Sequence, residues 1–206
     1  MINENNSKKP IANGMESLNQ LYRIGCGPSS SHTMGPEKAC VIFKEKNEAA
    51  DEFKVILYGS LAKTGKGHCT DSVIENTLAP IPTTVEFDFD KTDIDHPNTM
   101  DMFAYKNGEQ VDFARVFSVG GGRIEFEGSS SAKEPIVYEL STFSDIKAYC
   151  KDNKYRLWQY VDEVEGEYIW DYLAKVWETM KEAIERGIED EGILPGGLEV
   201  QKKAKY

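Results

Sequence analysis

Late in this chain, five strand-like runs follow one another without a helical segment between them. They are Thr83–Phe89, Met100–Tyr105, Phe113–Val119, Ile124–Glu127 and Ile136–Leu140. Asn107-Gly108 supplies a tight hairpin turn between two of them. Such a succession points to an α+β layered fold, not a strictly alternating parallel sheet. The expected fold class is α+β, a mixed sheet with helices packed on it in layers, followed by a C-terminal joining helix. One earlier strand, Phe53–Tyr58, lies among three helical segments. These are Met15–Ile24, about Pro36–Glu48 and Ser72–Leu78, the last with Asp71 placed to cap it. Ala39, Val41, Ile42 and Phe43 supply apolar surface for the second.

After Ser141 the character changes. Phe143–Asn153 reads as a helix, and a longer one runs from about Glu165 to Asp190. Along it Ile169, Leu173, Val176, Trp177, Met180 and Ile184 fall on one face, widened by Trp170 and Tyr172. That face either packs on the domain core or meets something absent from the sequence. Gly192, Pro195, Gly196 and Gly197 then break the chain, and the end reads as the start of a linker. Three regions are expected: a mobile extension over 1–14, a domain over 15–155, and the joining helix with the linker start over 156–206.

At 206 residues the chain suffices for one domain with a core and an appendage. Its formal charge of −11 argues against nucleic-acid binding, which needs clustered Lys and Arg. No stretch approaches the roughly 20 apolar residues of a membrane span, and the N-terminus lacks the apolar core of a signal peptide. A cytoplasmic protein is the expectation. The four cysteines, Cys26, Cys40, Cys69 and Cys150, include no C-x-x-C pair and read as free, mostly structural thiols.

The three histidines each sit in a punctuated polar segment: Ser31-His32-Thr33, Gly67-His68-Cys69 and Asp95-His96-Pro97. Rigidly held loops commonly host sites, and imidazole titrates near neutrality. Gly27-Pro28-Ser29-Ser30-Ser31-His32-Thr33 packs four hydroxyls and an imidazole just before a helix start. Exposed N–H groups there can hold a carboxylate or phosphate; a serine-rich loop with an ordinary helix cap is the plainer alternative. Thr64-Gly65-Lys66-Gly67-His68 lacks the phosphate-loop spacing, so no nucleotide site is expected. Gly120-Gly121-Gly122 serves either close ligand approach or a turn between strands. Ser129-Ser130-Ser131 reads as a solvated loop.

Taken in order, IGCGPSSSHTMGP, LYGSLAKTGKGHCTD, HPNTM and SVGGGRI resemble the motifs of iron–sulfur-dependent L-serine dehydratases (L-serine ammonia-lyases). The resemblance extends over roughly residues 15–200 and corresponds to the N-terminal, β-type domain of the single-chain form. It implies deamination of L-serine to pyruvate and ammonia with a [4Fe–4S] cluster. The cluster cysteines of that family belong to a C-terminal, α-type domain, so no metal ligand is expected in this chain, and the chain alone is expected to be inactive. Cys26 and Cys69 stand where relatives commonly carry Ile or Val, and Gly, and receive no ligand role.

The same resemblance assigns His68 as the base for the α-proton. It places Ser29, Ser30, Ser31, His32 and Thr33 on the substrate carboxylate or hydroxyl, with Lys66 offsetting negative charge. His96 and Asn98 would add substrate contacts or orient His68. Expected partners are L-serine, the cluster-bearing domain and a second copy of the chain in a homo-oligomer. A serine-binding regulatory module without catalysis is the alternative, and a zinc-type site on His32, His68 and His96 a remote third.

Overall fold

The computed structural model describes residues 14–129, 135–193 and 199–202. The expected N-terminal extension up to residue 13, Ser130, Ser131 and the Pro195-Gly196-Gly197 break lie outside the described residues. The chain divides into two compact units, Gly25–Ala132 with Ile184–Tyr206 and Met1–Ile24 with Lys133–Ala183.

The first unit is built on a five-stranded sheet. Its strands are β1 (Glu52–Tyr58), β2 (Thr83–Asp88), β3 (Thr99–Lys106), β4 (Glu109–Gly120) and β5 (Arg123–Phe126), in the spatial order β2-β1-β3-β4-β5. β1 and β2 pair in parallel, and every other pairing is antiparallel. The sheet is therefore mixed and the fold α+β, as the succession of strands implies. Parallel pairing of β1 with β2 requires a crossover. It is made by α3 (Gly59–Gly65), a 3-10 turn over Lys66–His68 and α4 (Thr70–Leu78). Thr64–His68, a glycine-punctuated segment in the sequence, is part of this helical crossover. Gly59 adopts φ 54 at the strand end, and Gly65 is buried against Phe87 and Thr70, so both glycines are used for close fit and the helix runs on.

Period-two alternation puts Phe53, Val55 and Leu57 of β1 with Met100, Met102 and Ala104 of β3 on one face. Against that face pack Phe43, Ala39 and Cys40 of α2 (Met34–Lys46), Leu61 and Ala62 of α3, and Ile74 and Leu78 of α4. These residues form the core. Of the apolar residues expected on α2, Ala39 and Phe43 are buried and Val41 and Ile42 are exposed, because the spacing 36, 39, 40, 43 defines the buried stripe. On the opposite face, Asp101 is 4% exposed. Arg115 grips it through Nε at 2.7 Å and Nη2 at 2.8 Å, and the Tyr58 hydroxyl donates to it at 3.0 Å.

The second unit is helical. It contains α1 (Leu18–Leu21), α5 (Phe143–Asp152), α6 (Leu157–Glu165) and α7 (Tyr168–Glu189), whose last residues from Ile184 are grouped with the first unit. Two expectations are corrected here. The Met15–Ile24 helix shortens to one turn, and Ile136–Leu140 is not a strand but a single bridge of Met15 with Tyr138. The long C-terminal helix, expected from about Glu165 to Asp190, spans Tyr168–Glu189, and Gly166, with φ 81, separates it from α6. The corner is fastened by Glu165, whose carboxylate accepts from Ser17 Oγ (2.6 Å), Leu18 N (2.7 Å), Tyr138 OH (2.8 Å) and Tyr168 OH (2.9 Å). Of the expected α7 stripe, Ile169 and Val176 are buried and Leu173 is half-buried, whereas Trp177, Met180 and Ile184 are about half exposed.

Candidate functional site

Two segments of the sheet unit converge on one imidazole. The first is the turn Ser30–Thr33 that leads into α2. The backbone N–H groups of His32 and Thr33 both donate to Ser29 O, and Gly35 N donates to Ser30 O, all at 2.9 Å. Thr33 does not cap the helix with its side chain. Its hydroxyl instead points back to Cys26 O (2.5 Å) and Ser29 O (2.8 Å), closing the loop on itself. The turn is pressed onto the sheet at Gly35, where an added Cβ would come within 2.2 Å of Ser118 Oγ. His32 is thereby carried inward and is only 8% exposed.

The second segment is α3 with its 3-10 extension. Ser60, Thr64 and His68 recur every fourth residue and so share one face. Ser60 Oγ lies 3.3 Å and Thr64 Oγ1 2.9 Å from His32 Nε2, while Ser29 Oγ lies 3.0 Å from His32 Nδ1. The His68 ring sits beside that of His32 with centroids 4.5 Å apart, tilted by 41°. His68 Nδ1 bonds the backbone carbonyl of Thr64 at 3.0 Å. A carbonyl only accepts, so Nδ1 carries a proton, and in the neutral ring the lone pair is on Nε2. Burial and the neighbouring His68 hold His32 below the ordinary imidazole range, outweighing a contrary contribution from Ser60.

A third segment, His96–Asn98, is tied to the same place. Ser60 N donates to Pro97 O at 2.7 Å, and Gly59 is required there because a Cβ would meet that carbonyl at 2.5 Å. His96 does not reach the other two imidazoles. Its Nδ1 accepts from Asn98 N at 3.1 Å and its ring lies 6.2 Å from that of Phe117. Asn98 Nδ2 donates to Ser118 O at 3.3 Å, and its Oδ1 is buried without a partner, as is Ser118 Oγ. Unpaired buried acceptors are uncommon and costly in a finished interior, and they fit a site that expects a polar ligand.

The structure thus brings Ser29, His32 and His68 together, with Thr33 as the brace behind them and Ser30 and Ser31 partly exposed at the helix start. Lys66 points elsewhere, its Nζ 5.3 Å above the Phe87 ring. Ser60 and Thr64 were not singled out from the sequence. Their four-residue spacing with His68 is the signal that finds them once the segment is taken as helix. Gly120, Gly121 and Gly122 all have positive φ and form the turn from β4 to β5.

The cysteines do not assemble. Cys26 is exposed, Cys40 lies in the core, and Cys69 and Cys150 are partly exposed, all as free thiols. Burial, helped by Glu37, pushes the Cys40 thiol up to about 12, which keeps it protonated. Among the described residues no group of three or more His, Cys, Asp or Glu side chains is arranged to hold a metal ion. The residues present do not fit a [4Fe–4S] cluster. Nor, among those residues, is any helix long and apolar enough to cross a membrane.

An α+β sheet unit with an imidazole pair at the head of two helices is the class of domain these features define. Residues 17–86, which hold both imidazoles, match the family model described as serine dehydratase beta chain. Over 92% of its length the chain is 32% identical to L-serine dehydratase 1 of Escherichia coli K12 and to an L-serine dehydratase of Haemophilus influenzae. An L-serine dehydratase of Streptomyces coelicolor is 29% identical over 91% of the chain. This chain contains a serine dehydratase beta-type domain. It spans about half the length of these relatives, 53% in each case.

Proposed function

We propose that this chain is the β-type domain of an L-serine dehydratase that converts L-serine to pyruvate and ammonia. The observation that carries the proposal is the free Nε2 of His68, held by the Thr64 carbonyl beside a neutral His32, inside the segment that matches the family. An imidazole nitrogen left without a partner and facing the site suits removal of an α-proton.

In the proposed reaction, Ser30, Ser31 and the start of α2 hold the substrate carboxylate. Asn98 Oδ1, unpaired in the structure, accepts from the ammonium group. His68 Nε2 takes the α-proton and returns it to the β-hydroxyl, which leaves as water, and the aminoacrylate hydrolyses to pyruvate and ammonia. Thr33 and Ser29 keep the loop and His32 in place. The [4Fe–4S] cluster of the family is assigned to an α-type domain outside these residues, and no step here passes through it. A homo-oligomer belongs to the same proposal.

The test uses the complete protein, prepared without oxygen. His68→Ala should lower pyruvate formation by at least ~10³-fold, in the range expected for loss of a general base with its positioning, while the visible cluster absorbance stays intact. Full activity in that variant overturns the assignment. Calorimetric L-serine binding by a complete protein that shows no turnover would support the regulatory module instead.

A further inference from the structure

Thr64 touches both imidazoles of the site, each through a different group. Its hydroxyl lies 2.9 Å from His32 Nε2, and its backbone carbonyl lies 3.0 Å from His68 Nδ1. The same hydroxyl also donates to Ser60 O at 2.9 Å, the backbone acceptor four residues earlier in α3. A hydroxyl has one proton to give. With that proton spent on Ser60 O, Thr64 Oγ1 can only accept from His32, so the His32 proton resides on Nε2. His32 Nδ1 is then an acceptor, and the Ser29 hydroxyl at 3.0 Å donates to it. The Thr64 carbonyl, for its part, requires the proton of His68 on Nδ1.

We infer that Thr64 is a positioning residue that sets the two histidines in opposite tautomers. His32 is fixed as the Nε2–H form and His68 as the Nδ1–H form, which is the form free histidine disfavours. Protonating His32 would turn Nδ1 into a donor and force the Ser29 hydroxyl to reverse. His32 is also 8% exposed and stands beside His68, and both features oppose a second positive charge. His32 therefore acts as a neutral buttress, and His68 Nε2 is left as the one imidazole nitrogen of the pair that can take a proton. The charged groups nearest in sequence, Lys63 and Lys66, are exposed, and Lys66 is turned onto Phe87.

The catalytic consequence rests on the function proposed above, but the tautomers do not, so the two can fail separately. The measurement is a two-bond ¹⁵N–¹H spectrum of the histidine rings in this 206-residue chain, for wild type, Thr64→Val and Thr64→Ser. In wild type His68 should show the Nδ1–H pattern and His32 the Nε2–H pattern. Thr64→Val keeps the carbonyl but loses the hydroxyl, so His32 should average between tautomers while His68 is unchanged. Thr64→Ser should restore the wild-type pattern. A wild-type His68 in the Nε2–H form, or a His32 spectrum unaltered by Thr64→Val, overturns the inference. In the complete protein Thr64→Val should lower kcat by ~10- to 100-fold with KM within twofold, the scale of other lost supports behind a reacting imidazole. Correct tautomers in a protein that does not deaminate serine would remove the proposed function and leave the positioning role standing.

Discussion

Replacing Glu165 by alanine takes away the acceptor on which four donors of the helical unit converge. The carboxylate is 8% exposed and receives Ser17 Oγ, Leu18 N, Tyr138 OH and Tyr168 OH between 2.6 and 2.9 Å. Hydrogen bonds to a charged group are worth ~1.5–3 kcal/mol each, but their sum overstates the loss. Ser17 and Tyr168 hydroxyls lie 3.2 Å apart and can pair with each other, and Tyr168 is half exposed. Leu18 N–H and Tyr138 OH are left without a partner, and each orphan costs ~1–3 kcal/mol. Glu165→Ala should therefore cost about 4 kcal/mol. Glu165→Gln keeps one acceptor oxygen for Leu18 and Tyr138 and should cost only about 1 kcal/mol on the same scale.

The assay is urea unfolding followed by tryptophan emission. All three tryptophans, Trp158, Trp170 and Trp177, belong to the helical unit, so the signal reports on that unit alone. With m near ~2 kcal/mol/M, the alanine variant should lower the midpoint by about 2 M. The pH profile adds a second check. Burial raises the Glu165 carboxyl, but the bonds from Ser17, Leu18, Tyr138 and Tyr168 outweigh it and hold the group below its ordinary value. The unfolded chain then binds the proton more readily, so the contribution is complete above the ordinary carboxyl range of about 4.3 and is lost as pH falls through the lower folded value. The gap between wild type and Glu165→Gln should be flat above pH ~5 and shrink below it. Equal midpoints for the two variants, or an alanine variant within ~0.5 kcal/mol of wild type, would refute the assignment of unpaired donors.

Further outcomes follow from other residues. Cys69 holds φ 58, a conformation that favours glycine, so Cys69→Gly should stabilise the sheet unit by ~1 kcal/mol in circular-dichroism melts, while Cys69→Val should destabilise it. Gly35→Ala should cost ~1–3 kcal/mol, since its Cβ would meet Ser118 Oγ at 2.2 Å, and Ser118→Gly should recover most of that loss in a double-mutant cycle. Asp101→Ala should cost ~3–5 kcal/mol by leaving the Arg115 guanidinium without its bidentate partner, again read by sheet-unit melting. Burial, with Asp101 beside it, pushes the Tyr58 phenol up to about 12. Its ultraviolet ionisation should therefore lag behind that of the exposed tyrosines when pH is raised to 11.

Much of the sheet was legible because its evidence is local. Val55 and Leu57 alternate with Lys54 and Ile56, and that period alone decides which side chains face the helices. The spacing of Ala39, Cys40 and Phe43 would also have settled the buried stripe of α2, had Val41 and Ile42 not looked equally apolar. Gly59 and Gly65 punctuate the sequence, yet both lie within α3 and are small because Pro97 O and Phe87 come close. Gly166 takes φ 81 just before α7, where the sequence expectation has the helix already begun at Glu165.

The site shows the same division. Sequence singled out the segments of Ser29, His32 and His68, since serine-rich turns before a helix and recurring motifs are features of neighbouring residues. It could not show that His32 faces inward between Ser29 and Thr64, that Lys66 turns away to Phe87, or that His96 bonds its own loop. Those outcomes depend on contacts between residues up to 32 positions apart in the first case, and Glu165 reaches Ser17 across 148. The amino-acid sequence by itself determined the element types, the acidic surface and the chemical groups on offer. Only the tertiary structure decided which of those groups meet, because a hydrogen bond or a buried charge is fixed by the packing of distant segments and leaves no periodic trace in the chain.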